Sequence, residues 1–311
     1  MMFDALLLLL TLLLGAALSR VSLCAVAAVQ QCVNQREPTG LMRLLLATSA
    51  AGMVLLASSG WSPMRMSLPG TLPITLPLID GALLLGAGAL LNGACYLGSV
   101  LYLGNGNLNF LFTLLGLAAG ARIAAVWLSA QLPAMHASMA ISDSFRWAGF
   151  GLFAVLAAIL LTMRAARRSA WWPLLAGAVA GLVYARHPGW TYSQVIDSVS
   201  SADWRGASWL ANLAALSLFA GAIISSCWSG RWHRQNPRPA RALRCLAGGL
   251  LMGVGAKLIP GGSDMLLLWA IPGLTLYGAV AYLVMLATLA LAFAAAEIRR
   301  QQNRKALKLA P

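Results

Sequence analysis

At Leu91-Asn92-Gly93-Ala94-Cys95 an apolar helix pattern stops in small and polar residues while both flanks stay apolar. Glycine permits close backbone approach, and a broken helix presents unpaired N–H groups that bind anions. Cys95 stands at that break. Its thiol is a polarisable, weakly hydrogen-bonding group, and its thiolate is a nucleophile. A second chemically capable residue is Lys257, inside another apolar segment, where an ionisable group costs roughly 2.5–3.5 kcal/mol on insertion scales and usually faces a cavity or a partner. Two roles are open to it: an ion pair with Asp264 across Pro260-Gly261-Gly262, or a fixed positive charge that draws an anion inward. The five cysteines contain no CxxC pair, so neither a zinc site nor a disulfide framework is indicated. His136, His187 and His233 all fall in expected connections, which disfavours a catalytic base at membrane depth.

The elements that must hold these residues come in two copies. The stretch GALLLGAGALLNGAC, residues 81–95, recurs as GGLLMGVGAKLIPGG, residues 248–262, at an offset of 167. Each copy is an apolar segment interrupted by small residues. Such segments at corresponding places in two halves point to a transport site made of broken helices. Spans of about 20 apolar residues are expected at 41–58, 81–104 (broken), 107–129, 146–163, 171–187, 207–228, 244–271 (broken) and 272–295. Residues 3–33 are too long for one simple span and are interrupted near Ser19, Arg20 and Ser22. The run Leu103-Gly-Asn-Gly-Asn-Leu-Asn109 reads as a turn in which Asn107 or Asn109 caps the next helix.

Composition sets the class. Of 311 residues, 60% are hydrophobic and 10% charged, with mean hydropathy +0.77, outside the range of a soluble domain. In hydrocarbon every backbone polar group must be paired internally, so an all-α polytopic membrane protein is expected, without the alternation of a membrane barrel. The net charge of +14 gathers at Arg164, Arg167 and Arg168, at Arg231 to Arg244, and in the tail from Arg299 to Lys308. That distribution marks cytoplasmic loops rather than a nucleic-acid face. With these clusters inside, the first broken segment begins outside and the second begins inside: an inverted-topology repeat. The halves are expected at 1–163 and 164–295, followed by a basic cytoplasmic tail at 296–311. Trp61, Trp190, Tyr192 and Trp204 read as interface anchors. The opening apolar run has Asp4 and no basic residue ahead of it, so it is kept as mature protein.

The run from 81 to 120, GALLLGAGALLNGACYLGSVLYLGNGNLNFLFTLLGLAAG, resembles the YeeE/YedE family of bacterial sulfur transporters, with its Gly-rich helix, Gly-x-Cys turn and following Gly/Asn turn. Residues 19–51 are similar to that family's cysteine element, with Cys24 in the cysteine position, and residues 244–285 resemble the second-half copy. The resemblance implies uptake of thiosulfate or a related small sulfur anion across the bacterial inner membrane. The anion would pass along a central line of cysteines by S–H contacts, with no cofactor. The resemblance carries over to Cys24 and Cys95, and the expected substrate path adds Asn92 and Gly93 at the break, Lys257, Gly262 and Ser263. The chain departs from the family pattern at Gly262, where the second-half cysteine falls. If the relay is merely impaired, a cysteine restored at Gly262 should raise flux. Implied partners are the sulfur anion, the lipid bilayer and a cytoplasmic sulfur-carrier protein. Two alternatives belong to other classes: a membrane sulfur-transfer enzyme with a persulfide on Cys95, and a degenerate scaffold that no longer transports.

Overall fold

The computed structural model describes residues 2–309 apart from 60–67, 130–131, 133–141, 168–169, 188–189, 191 and 201–208. Trp61, Trp204 and His136 therefore lie outside the described residues, as do most of the loop at 130–145 and part of the loop at 188–206. The described chain is helical throughout, as an apolar chain with no bilayer water to satisfy its backbone requires. Its helices are α1 (Met2–Val21), α2 (Ala25–Gln35), α3 (Thr39–Ser58), α4 (Leu76–Asn92), α5 (Tyr96–Gly104) and α6 (Phe110–Trp127). Then follow α7 (Asp143–Thr162), the single turn α8 (Arg164–Arg167), α9 (Trp171–Arg186), α10 (Tyr192–Ser200) and α11 (Trp209–Trp228). The last are α12 (Pro239–Leu258), α13 (Ser263–Met265), which runs on as a π-turn Leu266–Ala270, and α14 (Leu276–Leu309).

Seven segments among the described residues are long and apolar enough to cross a membrane; the pair α12 and α13, bent by 55°, is an eighth. Leu115, Leu283 and Leu291 are 62%, 63% and 72% exposed, which is ruinous in water and ordinary against acyl chains. The bilayer is the solvent these faces fit. α14 carries the helix without a stop from Leu276 to Leu309, so the basic tail continues the last helix.

The repeat extends well beyond the fifteen-residue motif. At the same offset α1 corresponds to α9, α2 to α10, α3 to α11, α4 to α12, α5 to α13 with its π-turn, and α6 to α14. The packing repeats with partners exchanged: α1 packs on α11 as α9 packs on α3, and α6 packs on α12 as α14 packs on α4. Two pairs, α1 with α9 and α4 with α12, pack on their own counterparts, as elements beside a pseudo-two-fold axis must. α4 and α12 run antiparallel. Gly81 faces Gly255 and Leu258 at one end, and Asn92 faces Gly248 at the other. α7 has no counterpart, and one extra crossing between two like halves is what inverts the second relative to the first.

Glycine sets how closely these helices approach. Gly116 and Gly120 on α6 lie against the carbonyls of Leu246 and Leu250 on α12, while Gly249 and Gly253 lie against the carbonyls of Thr113 and Leu117. A Cβ at any of the four would drive into backbone. This is the small-residue packing by which membrane helices gain contact where no hydrophobic drive separates protein from lipid.

Candidate functional site

Two helix breaks bring two thiols together. After α1 the chain turns through Ser22, in the left-handed region at φ 56°, and Cys24 takes the extended position just before α2. α4 ends on Gly93 at φ 75°, and Cys95 takes the extended position just before α5. Left-handed backbone at a helix end favours glycine because a Cβ crowds the carbonyl there. The two thiols, 71 residues apart in sequence, lie with their Sγ atoms 3.9 Å apart. Both are buried, at 0% and 2% exposure. Cys95 Sγ also accepts the first N–H of α2, from Ala25, at 3.4 Å. The sulfur thus sits on the positive end of an eleven-residue helix. Gly98 makes the approach possible, since a Cβ there would meet Cys24 Sγ at 2.5 Å.

The second-half break meets the first. Tyr96, the first residue of α5, donates its N–H to Ser263 Oγ at 3.3 Å; Ser263 opens α13 and stands 167 residues on, its own repeat counterpart. Gly262 precedes α13 as Cys95 precedes α5. Cys24, Cys95, Gly262 and Ser263 are therefore assembled by contacts between α2, α5 and α13. A cysteine restored at Gly262 would have to displace the Asp264 carboxyl. A Cβ there would meet Asp264 Oδ1 at 2.5 Å, and Ser193 Cβ and Tyr96 Cδ1 at 3.0 Å each.

Asn92 and Gly93 are built into the scaffold. Asn92 Nδ2 donates to the Ala94 carbonyl at 2.8 Å and to Ser99 Oγ at 3.1 Å, and Oδ1 accepts from Thr113 Oγ1 at 2.7 Å. Its side chain is occupied in holding the break shut, and it is fully buried. Arg241 Nη2 donates to the Asn92 carbonyl at 2.9 Å and its guanidinium lies over the Phe110 ring, 5.5 Å from the centroid. That places a cation on the negative end of α4. Lys257 lies half-buried in the last turn of α12. The Asp264 carboxyl turns to α10, where Oδ2 accepts the Ser193 N–H at 3.3 Å.

Several expectations change in detail. Asn109 does not cap α6 with its side chain. Its Oδ1 accepts instead from Arg238 N at 2.9 Å, tying the Asn turn to the start of α12. Trp190 and Tyr192 are not interface anchors but interior residues, 3% and 4% exposed. Tyr192 packs edge-on against Tyr96 with centroids 5.9 Å apart, and Trp190 against Tyr184 at 5.7 Å. Cys245 is buried, whereas Cys227 is exposed beside the basic loop. Sequence reasoning missed Tyr96, Ser193 and Arg241. The 167-residue offset was a usable signal for Ser193, which follows the counterpart of Ala25; no local pattern marks Arg241. Among the described residues no group of His, Cys, Asp and Glu is arranged to hold a metal ion.

A helical bundle of two interlocked, exchange-related halves with broken segments meeting inside it defines a polytopic membrane protein of the inverted-repeat type. The sulphur-transport family model matches residues 20–175 and 170–291, and the chain belongs to that family, the YeeE/YedE sulfur transport family. No curated protein matches the chain.

Proposed function

We propose that this protein takes up thiosulfate, or a related small anion with an exposed sulfur, across the bacterial inner membrane along a path that includes Cys24 and Cys95. The observation that carries the reading is the buried pair of thiols, 3.9 Å apart, placed at two helix breaks from distant parts of the chain. Packing alone does not call for that arrangement. A soft terminal sulfur accepts weak S–H donors well, and a polarisable thiol tolerates burial that a charged side chain does not. The helix N-terminus of α2 adds a fixed partial positive charge beside the same sulfur. Passage by hydrogen bonds alone requires no cofactor and no bond-making step.

The orientation follows from charge. The Asn turn joins the basic loop through Leu108 N–H to the Gln235 carbonyl at 3.1 Å and Arg238 N–H to Asn109. Both connections therefore share one side, which the positive-inside rule makes cytoplasmic together with the C-terminus. A cytoplasmic sulfur carrier would receive the anion at that face. The persulfide alternative needs a base or cation to hold Cys95 as thiolate. Neither His187 nor His233 hydrogen-bonds to either thiol among the described residues, and His233 instead bonds to the Trp232 carbonyl.

The test is uptake of labelled thiosulfate, sulfite and sulfide by cells that lack their own transporters and express this chain. Selective thiosulfate accumulation is the expected result. Well-folded protein that accumulates none of the three would favour the scaffold.

A further inference from the structure

The residue at the second break that corresponds to Cys95 has no side chain, and what fills the vacated place is a carboxyl oxygen. Asp264 Oδ1 lies 2.5 Å from where a Gly262 Cβ would stand. Asp264 is 2% exposed. Oδ2 accepts the Ser193 N–H, but Oδ1 has no hydrogen-bond partner among the described residues. Buried carboxyl oxygens are rarely left so, because the lost hydration costs several kcal/mol in a low-dielectric interior. The surroundings hold donors in the same state. Tyr192 Oη, Trp190 Nε1 and Trp269 Nε1 are buried without partners among the described residues. Tyr184 links the two indoles, packing on Trp190 and stacking on Trp269 at 6.2 Å, and Tyr192 precedes Ser193, whose N–H the Asp264 carboxyl accepts. Three unpaired donors and one unpaired carboxyl oxygen in one interior region are what a polar guest would satisfy.

We propose that Asp264 is the second-half station of the path: it binds the oxyanion end of the substrate in its protonated form and carries one proton inward with each anion. An ionised carboxylate would repel an anion and would itself be buried with an unsatisfied oxygen. A neutral carboxyl donates an O–H hydrogen bond, the same service a thiol gives at Cys95 but stronger. The proton is taken up on Oδ1 from the outer side as the anion arrives and is released to the inner side as the anion leaves. No covalent bond to sulfur forms or breaks, and nothing is oxidised. The ionisable groups next to Asp264 are Tyr96, whose ring lies with Asp264 Oδ1 at the Gly262 position, and Tyr192, which precedes Ser193 on α10; Cys95 and Cys24 lie beyond Tyr96 at the break that meets Ser263, and Lys257 stands in the last turn of α12.

This inference rests on the uptake reading above, and the experiment separates the two. Purified protein is reconstituted in liposomes carrying an internal pH dye, with labelled thiosulfate outside; thiosulfate keeps the same charge between pH 6 and pH 8. The wild-type protein should take up thiosulfate several-fold faster at pH 6 than at pH 8, and its uptake should acidify the lumen. Asp264→Asn keeps a donor but cannot carry a proton, so its uptake should be independent of pH and leave the lumen unchanged. Tyr192→Phe should raise the half-saturating thiosulfate concentration several-fold without lowering the melting temperature. Wild-type uptake with no lumen acidification would overturn proton coupling while leaving the transport reading intact, and needs no variant to fold. A pH response retained in Asp264→Asn would move the proton to another group, and an unchanged half-saturation in Tyr192→Phe would remove the oxyanion site. No thiosulfate flux at all would overturn the underlying reading.

Discussion

The two breaks at the centre of this protein have the same architecture and different chemistry. At the first, α4 stops on Gly93, Cys95 precedes α5, and a thiol faces the thiol of Cys24. At the second, α12 stops at Ile259, Gly262 precedes α13, and the space is filled by an oxygen of Asp264. The backbone plan is shared because both halves must break a helix within an apolar bundle and repair the exposed groups. The side chains differ, sulfur at the first break and a carboxyl oxygen at the second. Where the counterpart of Cys95 has no side chain, a neighbour two residues on takes up the room.

The largest effect should come from removing the sulfur at the first break. Cys95→Ala should abolish thiosulfate uptake at normal expression, with a stability change of only about 1 kcal/mol because little volume is lost; retained uptake would return Cys95 to a packing role. Cys24→Ala should reduce uptake strongly for the same reason, read in the same assay. Next comes Gly262→Cys. The close approach to Asp264, Ser193 and Tyr96 should make it destabilising by about 1–3 kcal/mol and give no gain in flux. Combining it with Asp264→Ala should recover part of the melting temperature, and additive losses would show that the carboxyl does not occupy the place of the missing side chain.

Asn92→Ala tests the latch of the first break, which has no asparagine counterpart in the second, where Ile259 stands. It removes bonds to Ala94, Ser99 and Thr113 and strands buried partners, so a loss of about 1–3 kcal/mol in a detergent melt is expected. The smallest effect belongs to Cys227, exposed beside the basic loop. Cys227→Ala should leave uptake unchanged. In the native protein a membrane-impermeant maleimide should label Cys227 only from the cytoplasmic side, whereas labelling from outside intact cells would reverse the orientation.

Much of the fold was legible in the sequence because membranes restrict it to few solutions. Apolar runs separated by Arg, Pro and Gly had to be helices, and the motif at 81–95 and 248–262 marked two halves. The arginine clusters then fixed relative directions, and the antiparallel crossing of α4 and α12 agrees with them. The break near Ser22 was visible as a polar interruption, although whether it left one tilted helix or two was not; it separates α1 from α2 at Ser22 to Cys24.

Composition and offset by themselves determined the class, the repeat and the position of each break, since these depend on local hydropathy and on residues that cannot continue a helix. Only the tertiary structure decided which residues meet. That Cys24 lies against Cys95, that Asn92 is consumed in a latch, that Trp190 and Tyr192 are interior, and that Asp264 fills the place of a second-half side chain all depend on which side chains the packed helices bring together. Helical periodicity carries no information about such contacts, because in a bundle apolar on every side no single stripe says which face turns to lipid and which to the path.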